Sequence, residues 1–315
     1  EGPKIVTKWT VEISIGPIQQ FVGQSRRTRD LWGSSYLLSY LCAHAAVAAA
    51  ENGARVLQPD LDANPFCQLV TQVKNDAAVT GDAPAFASVP NHLVMETSHD
   101  PQQVAEAARE GLHRAWQKVA DTVWENFVAP YAHLGNGTHD IWQRQVKDYW
   151  EFMWVASQDG EVPGLLTRRK LLRDHQLPVE PGDMCMVMPD FQELSGYGRP
   201  GGREEQKRFW EALRERVGPF NLRPGERLCA IALIKRLYPL VAEAALGWEI
   251  NMSRWPSSVD ISAMPWLEQV GAVAADQAAA YAKLVAHSTP QAGDYPDTAP
   301  VRKQGPYERL MPESV

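Results

Sequence analysis

Hydrophobic and polar side chains alternate along residues 8–15 of the chain. The apolar members of this segment are Trp9, Val11, Ile13 and Ile15, with polar residues between them. A period of two is typical of a β-strand that has one face on a core. Residues 54–57 and 91–96 are two further short apolar segments, and we interpret both as strands.

Other segments repeat their apolar side chains every three or four residues, the spacing of an amphipathic helix. One runs from Leu37 to Gly53, after a break that we predict at Gly33-Ser34-Ser35. A second opens at Asp100-Pro101, and a third is predicted over residues 141–155. Residues 60–88 lack such a period, and we interpret them as a loop.

The order of these elements is strand, helix, helix, strand, strand, helix. It is typical of an α+β domain of ferredoxin-like, or palm, type that lacks its final strand. A Gly-Asn-Gly break at residues 135–137 leads us to end this domain at 1–135. We divide the remainder into a helical connector at 136–180, a mostly helical region at 181–286 and an extended tail at 287–315.

Composition narrows the class of protein. The chain has 315 residues, of which 44% are hydrophobic and 22% charged, as in ordinary globular proteins. Its net charge of −7 gives no overall basic field for nucleic acid, so such contacts would need local clusters. The four Cys form no CxxC pair, which favours reduced thiols. With no apolar run of membrane-spanning length, we expect a cytoplasmic protein without membrane contact.

The junction after the first strand reads "ISIGPIQQFVGQSRRTRDLWGSSYLLSYL". Gly16, Pro17, Ile18 and Gln19 stand where a strand passes into a helix, and free backbone N–H groups at a helix start favour phosphate. The alternative is a simple tight turn. Ser34 and Ser35 would either contact a ribose or phosphate or cap the next helix.

Four ordered stretches carry a resemblance to a known family. They are "SIGPIQQFVGQSRRTRDLWGSSYLLS", "ASVPNHLVME", "GDMCMVMPDFQELSG" and "GERLCAIALIKRLYP". From about Trp9 to Trp266, the chain resembles the Cas-ten (Cmr-two) family, the large subunit of type III-B CRISPR effector complexes. The resemblance implies a palm of the polymerase and cyclase type. It also implies other complex subunits, CRISPR guide RNA and target RNA as partners.

In that family a second palm carries a Gly-Gly-Asp-Asp turn, and the two palms join ATP into cyclic oligoadenylate with Mg²⁺ or Mn²⁺. The resemblance therefore implies half of an ATP site in this chain. The implied nucleotide-binding residues are Gly16, Pro17, Ile18, Gln19, Ser34 and Ser35. Arg168, Arg169, Lys170 and Arg173 are the candidates for contact with guide RNA or a partner subunit, or they form a solvated face. Arg26, Arg27 and Arg29 either contact phosphate or the acidic surface of a partner, or they form a solvated helix face.

The departures from the family matter as much as the match. The chain has no Gly-Gly-Asp-Asp and no adjacent Asp pair, whereas two-metal phosphoryl transfer needs clustered carboxylates. We therefore assign no catalytic residue and expect this chain alone to be inactive, as the front part of a longer cyclic oligoadenylate synthetase. His99-Asp100 and His139-Asp140 are interpreted as helix-start residues rather than a nuclease site.

Many relatives also carry a zinc module with two CxxC pairs. Here the corresponding positions are Cys185 with Met188, and Cys229 with Ala232. Two thiolates are too few for a closed tetrahedral site. We expect a degenerate, zinc-free ribbon-like module in which Met188 and Ala232 are core residues.

Two functions stay open at this point. One is the half ATP site of a synthetase. The other is an assembly module that docks neighbouring subunits and guide RNA without binding nucleotide. A free-standing cyclase is disfavoured by the missing carboxylates.

Overall fold

The fold is built on one four-stranded antiparallel sheet. The computed structural model describes residues 8–252 apart from 78, 80–82, 159–163, 173, 174, 176, 178, 199 and 200, and beyond 252 only 255, 265, 269, 270, 273, 274, 276, 277 and 280. The strands are β1 (Trp9–Gly16), β2 (Ala54–Gln58), β3 (His92–Thr97) and β4 (Glu151–Gln158). They lie in the order β2-β3-β1-β4, and every neighbouring pair is antiparallel.

The helices surround this sheet. They are α1 (Thr28–Glu51), α2 (Pro65–Lys74), α3 (Pro101–Val123), α4 (Thr138–Lys147), α5 (Leu165–Leu171), α6 (Arg203–Val217), α7 (Ala230–Leu237) and α8 (Ala242–Leu246). Short π-helical turns span Gln19–Gly23 and Trp124–Val128, and 3-10 turns span Ala129–Leu134 and Tyr238–Val241. No helix within the described residues is long and apolar enough to cross a membrane.

The α+β class predicted from the sequence is confirmed, and the strand order is that of a ferredoxin-like βαββαβ unit. The prediction that the final strand is missing is wrong, because β4 pairs with β1 from Gly16↔Glu151 to Trp9↔Gln158. The helix predicted over residues 141–155 ends at Lys147. The second half of the predicted helix forms the edge strand β4 instead, because hydrogen bonds to β1 satisfy its backbone groups. The sheet thus continues past the domain boundary predicted at residue 135.

The core lies between the sheet and the pair α1 and α3. Val11, Ile13 and Ile15 of β1 are fully buried on this face, as the alternation predicts. The two helices approach closely at Gly111, where an added Cβ would lie 2.6 Å from the Ala48 Cβ. Glycine therefore permits this contact.

Helix α1 is continuous through residues 33–35, so the predicted break there is wrong. Gly33 instead packs against α7 and the turn that follows this helix. An added Cβ would lie 3.4 Å from the Lys235 carbonyl oxygen, and the Tyr238 hydroxyl donates a 2.8 Å hydrogen bond to the Gly33 carbonyl. The small residues mark a close helix contact rather than a helix end.

The interpretation of residues 60–88 as loop missed α2. Asn64 caps this helix, because its Oδ1 accepts from the backbone N–H groups of Phe66 and Cys67 at 3.0 and 3.4 Å. Pro65 occupies the first helical turn. Asp100 caps α3 in the same way, as predicted. The predicted tail at 287–315 lies outside the described residues.

Candidate functional site

The junction after β1 is a compact corner rather than the start of a long helix. The Gly16-Pro17 bond is cis, and Pro17 leads into the five-residue turn Gln19–Gly23. Phe21 donates its N–H to the Pro17 carbonyl at 3.2 Å and is fully buried. Such a short turn carries only a small dipole, so a ligand here would depend on individual N–H groups.

Glu151 of β4 faces the corner, and no sequence pattern indicates it, because the segment that forms this strand is predicted to be helix. It pairs with Gly16 across the sheet, and a Cβ at Gly16 would lie 3.4 Å from the Glu151 Oε2. The side chain is buried, with 8% exposure. Phosphate groups beside Gly16 would therefore need a cation between themselves and this carboxylate.

A cleft of about 680 Å³ lies next to that corner, and basic side chains form part of its wall. It is lined by Arg109, His113, Lys147, Asp148, Trp150, Glu151, Phe152, Met153, Arg169 and His175. Burial and the charge of Arg109 lower the pKa of His113. Arg109, Lys147 and Arg169 outnumber the two carboxylates in this wall. Arg169, from the basic cluster at residues 168–173, thus lines the same cleft as Glu151.

The two predicted serines lie inside α1 rather than at a helix start. Ser34 is fully buried, and its hydroxyl donates to the Asp30 carbonyl. Ser35 is partly exposed. A ligand could therefore reach Ser35, but not Ser34, without a rearrangement of α1.

The second basic cluster lies on α5. Arg168 is exposed, while Arg169 and Lys170 are partly buried. The Arg169 guanidinium donates to the Leu172 carbonyl. Arg173 lies outside the described residues.

Two of the three N-terminal arginines take part in a buried ionic network, which neither sequence alternative anticipated. Arg236 of α7 is at its centre, with 1% side-chain exposure. It contacts the Asp30 Oδ2 at 2.6 Å and the Glu226 Oε2 at 2.9 Å. Burial opposes the charge of Arg236, but the two carboxylates outweigh it and raise the pKa of the guanidinium.

The arginines before and within α1 extend this network. Arg27 reaches Glu226 at 3.2 Å and the Phe220 carbonyl, and burial lowers its pKa. Arg29 donates to the Asn221 Oδ1 at 2.6 Å. The network therefore fastens the start of α1 to α7 and to the segment before it, whereas Arg26 is exposed.

Lys235 holds the corner from the same helix. Its Nζ donates to the Gln24 carbonyl at 2.8 Å and lies 5.3 Å from the ring centre of Phe21. Burial lowers the pKa of this ammonium group to about 8. In the sequence, Lys235 and Arg236 could have been identified as a charged pair within the apolar stretch "AIALIKRLYP".

The two cysteines expected from the degenerate module face each other. The Cys185 Sγ accepts from the Val187 and Met188 N–H groups at 3.4 and 3.3 Å. Although burial raises the pKa of Cys185, these bonds and one from the Cys229 thiol lower it to about 6.

The positions where second cysteines would stand are part of the core. Met188 has 0% exposure and Ala232 has 4%. Across the described ranges, no group of three or more His, Cys, Asp or Glu side chains is arranged to hold a metal ion. Two sulfurs alone do not fit the four-ligand set of structural zinc.

Comparison with known proteins gives the chain its relatives. Residues 10–121 match the family described as CRISPR-associated protein Cmr2, N-terminal. The CRISPR system Cmr subunit Cmr2 of Pyrococcus furiosus is 24% identical over 294 residues, which cover 80% of this chain and 33% of that protein. The chain thus spans about a third of the length of that relative.

Two solved structures share the fold. The apo state of type III-B Cmr-beta has a TM-score of 0.56 at 15% identity, over 84% of this chain and 36% of the other. Type III-B Cmr-beta bound to cognate target RNA has a TM-score of 0.52 at 15% identity, over 86% and 38%. At this identity the likeness concerns the α+β architecture alone.

Proposed function

We propose that this chain acts as the N-terminal, non-catalytic part of a type III-B CRISPR large subunit. The proposal starts from its resemblance to the N-terminal portion of a Cmr2 subunit, which its motifs predicted. Its partners would be the other subunits of the effector complex, the guide RNA and the target RNA. The sequence motifs and the fold agree over most of the chain, and the family match covers residues 10–121; this agreement carries the proposal.

Within that role the corner after β1 forms one wall of an ATP site, and the palm of the complete protein supplies the other wall. Gly16 leaves room for a ligand beside the backbone. The residues of this wall are Gly16, Pro17, Ile18, Gln19 and Ser35, with Ser34 accessible only after rearrangement. Arg109, Lys147 and Arg169 in the adjoining cleft would balance the charge of the phosphates against Glu151.

The metal chemistry belongs elsewhere in the complete protein. Mg²⁺ or Mn²⁺ held for phosphoryl transfer needs several oxygen ligands. The corner and its adjoining cleft offer the two carboxylates Glu151 and Asp148, and no group of three or more His, Cys, Asp or Glu side chains among the described residues is arranged for a metal, so they do not fit a catalytic metal site. No catalytic step is therefore assigned to this chain.

The alternative is an assembly module that binds no nucleotide. The exposed Arg168 on α5, with Lys170 beside it, favours this role for at least part of the surface. Arginine suits RNA phosphate through its planar donor fork. In this reading α5 contacts guide RNA or a neighbouring subunit.

One set of variants of the complete protein separates the two functions. Gly16→Val should lower cyclic oligoadenylate synthesis about tenfold or more while leaving assembly with guide RNA intact, because the side chain occupies the wall. Gly23→Val is the matched control in the same turn, since a Cβ at Gly23 meets nothing within 4 Å. Arg168→Glu, which leaves the cleft residue Arg169 in place, should instead weaken assembly. This chain alone, incubated with ATP and Mn²⁺, serves as the blank and should form no product.

Calorimetry with ATP completes the test. The half site should bind ATP weakly in this chain and more tightly in the complete protein, because fewer contacts offset the cost of immobilising the ligand. Full activity of Gly16→Val would reject the wall. Undetectable ATP binding in both forms, with intact assembly, would establish the assembly module instead.

A further inference from the structure

A basic groove lies between α6 and the turn at residues 223–227, and it shares no lining residue with the cleft beside the corner. Its volume is about 380 Å³. The cations in its wall are Arg203, Lys207 and Arg214 of α6, with Arg223 and Arg227 of the turn. The indole of Trp210 forms part of the wall and is fixed by its N–H, which donates to Glu193.

The cations of α6 share one stripe of the helix. Their positions differ by four and seven residues, so they project from nearly the same face. The acidic residues Glu204 and Glu215 do not line the groove. Three of the five basic residues of α6 thus line the groove, whereas only one of its four acidic residues, Glu211, does.

The groove has an excess of positive charge that the rest of the described chain leaves unbalanced. Of its two carboxylates, Glu226 is engaged by Arg236 and Arg27, and Glu211 lies 3.9 Å from Lys207. Among the described residues, no carboxylate lies within ion-pair distance of the other four groove cations. In addition, the Nε of Arg227 is buried and has no hydrogen-bond partner. A buried donor without a partner is unfavourable, and Arg227 is part of the groove wall.

We propose that this groove binds the phosphate backbone of single-stranded RNA. Guanidinium groups donate to phosphate oxygens through paired N–H groups, and four of the five cations are arginines. Arg203 and Arg214 are roughly 16 Å apart along the helix axis. That span matches a run of successive phosphates better than a single triphosphate.

The choice of RNA over an acidic protein rests on the proposed function, which gives this chain RNA partners. The groove is a different surface from α5 and from the ATP wall. It therefore adds an RNA contact in the region after β4, for which the sequence predicted only a mostly helical region at 181–286.

The test is binding of a fluorescein-labelled single-stranded RNA of mixed sequence to the whole chain, followed by anisotropy at several salt concentrations. Lys207→Glu should weaken binding about tenfold and reduce the salt slope by about 0.7. Arg214→Glu should have a similar effect. Arg208→Glu is the matched control, because it makes the same charge change at the next residue, which is exposed and outside the groove. Thermal melting verifies that the variants are folded.

Competition identifies the source of the anion. Unlabelled RNA should displace the probe, while ATP and polyglutamate at equal phosphate or carboxylate concentration should not. The proposal is overturned if Lys207→Glu and Arg208→Glu weaken RNA equally, if neither does, or if either competitor matches RNA. Because cyclic oligoadenylate synthesis is not the readout, a failure here leaves the Gly16 test of the ATP wall unaffected.

Discussion

Replacing Arg236 by methionine removes the cation at the centre of the buried network. Its guanidinium makes hydrogen bonds to both Asp30 and Glu226, and its side chain has 1% exposure. Methionine keeps much of the volume but leaves two carboxylates buried without their main partner. We expect the chain to fold with clearly reduced stability.

The magnitude follows from two independent considerations. Breaking a buried ion pair by removing one partner costs about 3–5 kcal/mol, because an uncompensated charge remains. Hydrogen bonds to charged groups contribute about 1.5–3 kcal/mol each, and Arg236 loses bonds to two carboxylates. Arg27, which also contacts Glu226, offsets part of the loss. We therefore expect a decrease in unfolding free energy of about 3–4 kcal/mol.

Urea denaturation followed by tryptophan fluorescence measures this change. Arg26→Met is the control, because Arg26 is an exposed arginine beside the same network, and its cost should stay within about 0.5 kcal/mol. Adding Asp30→Asn to Arg236→Met should cost less than the sum of the single changes, since the first removes the charge that the second left unpaired. A loss below about 1 kcal/mol for Arg236→Met, or strict additivity in the double variant, would refute the network as a stabilising unit.

Two further outcomes are expected. Burial, and then the nearby Lys74, Lys118 and Arg114 charges, lower the pKa of His44 from 6.5 to about 3. The unfolded chain therefore binds an extra proton below pH 6.5, and unfolding free energy should fall by about 1–2 kcal/mol between about pH 6.5 and 4.5, less than full linkage because the ring is partly exposed. His44→Gln should flatten that decrease in urea denaturation, and an unchanged slope would contradict it. Elemental analysis of the purified chain should find no stoichiometric zinc, because Cys185 and Cys229 are only two ligands, and one zinc per chain would contradict this.

The sequence was informative where its signals are local. The alternation in β1, the cap at Asp100 and the long period of α3 each depend on neighbours within a few residues, and each element appears in the structure. The family resemblance rests on short ordered motifs and is likewise confirmed. Local patterns therefore sufficed for the α+β class and most of the sheet.

Errors arose where distant partners decide the local structure. Residues 149–155 carry apolar spacing compatible with either helix or strand, and only the free edge of β1 selects the strand. Gly33 was interpreted as a helix break because the sequence does not show Tyr238 and the Lys235 carbonyl packed against it. In both places tertiary contact outweighs local preference.

The same limit applies to the charged residues of the candidate site. Arg27 and Arg29 have their partners about two hundred positions further along the chain, at Glu226 and Asn221, so no local pattern could assign them. The sequence could not show Glu151 as a neighbour of Gly16, because the segment that forms β4 was predicted to be helix. The basic groove residues of α6 are at helical spacing in the sequence. They line a groove only because the turn at residues 223–227 packs beside the helix.

Helix α7 connects the degenerate cysteine module to the proposed ATP wall. Cys229 caps α7, and that helix carries Lys235 and Arg236 to the segment between the corner and α1. Gln20 is tied from the other side, because its Nε2 donates to Asp190 at 3.0 Å. Helix α7 must be held firmly if the corner is to present a fixed wall. Here buried apolar packing around Met188 and Ala232 holds it, in the positions where metal ligands would otherwise be needed. We therefore expect the module to position the corner without zinc.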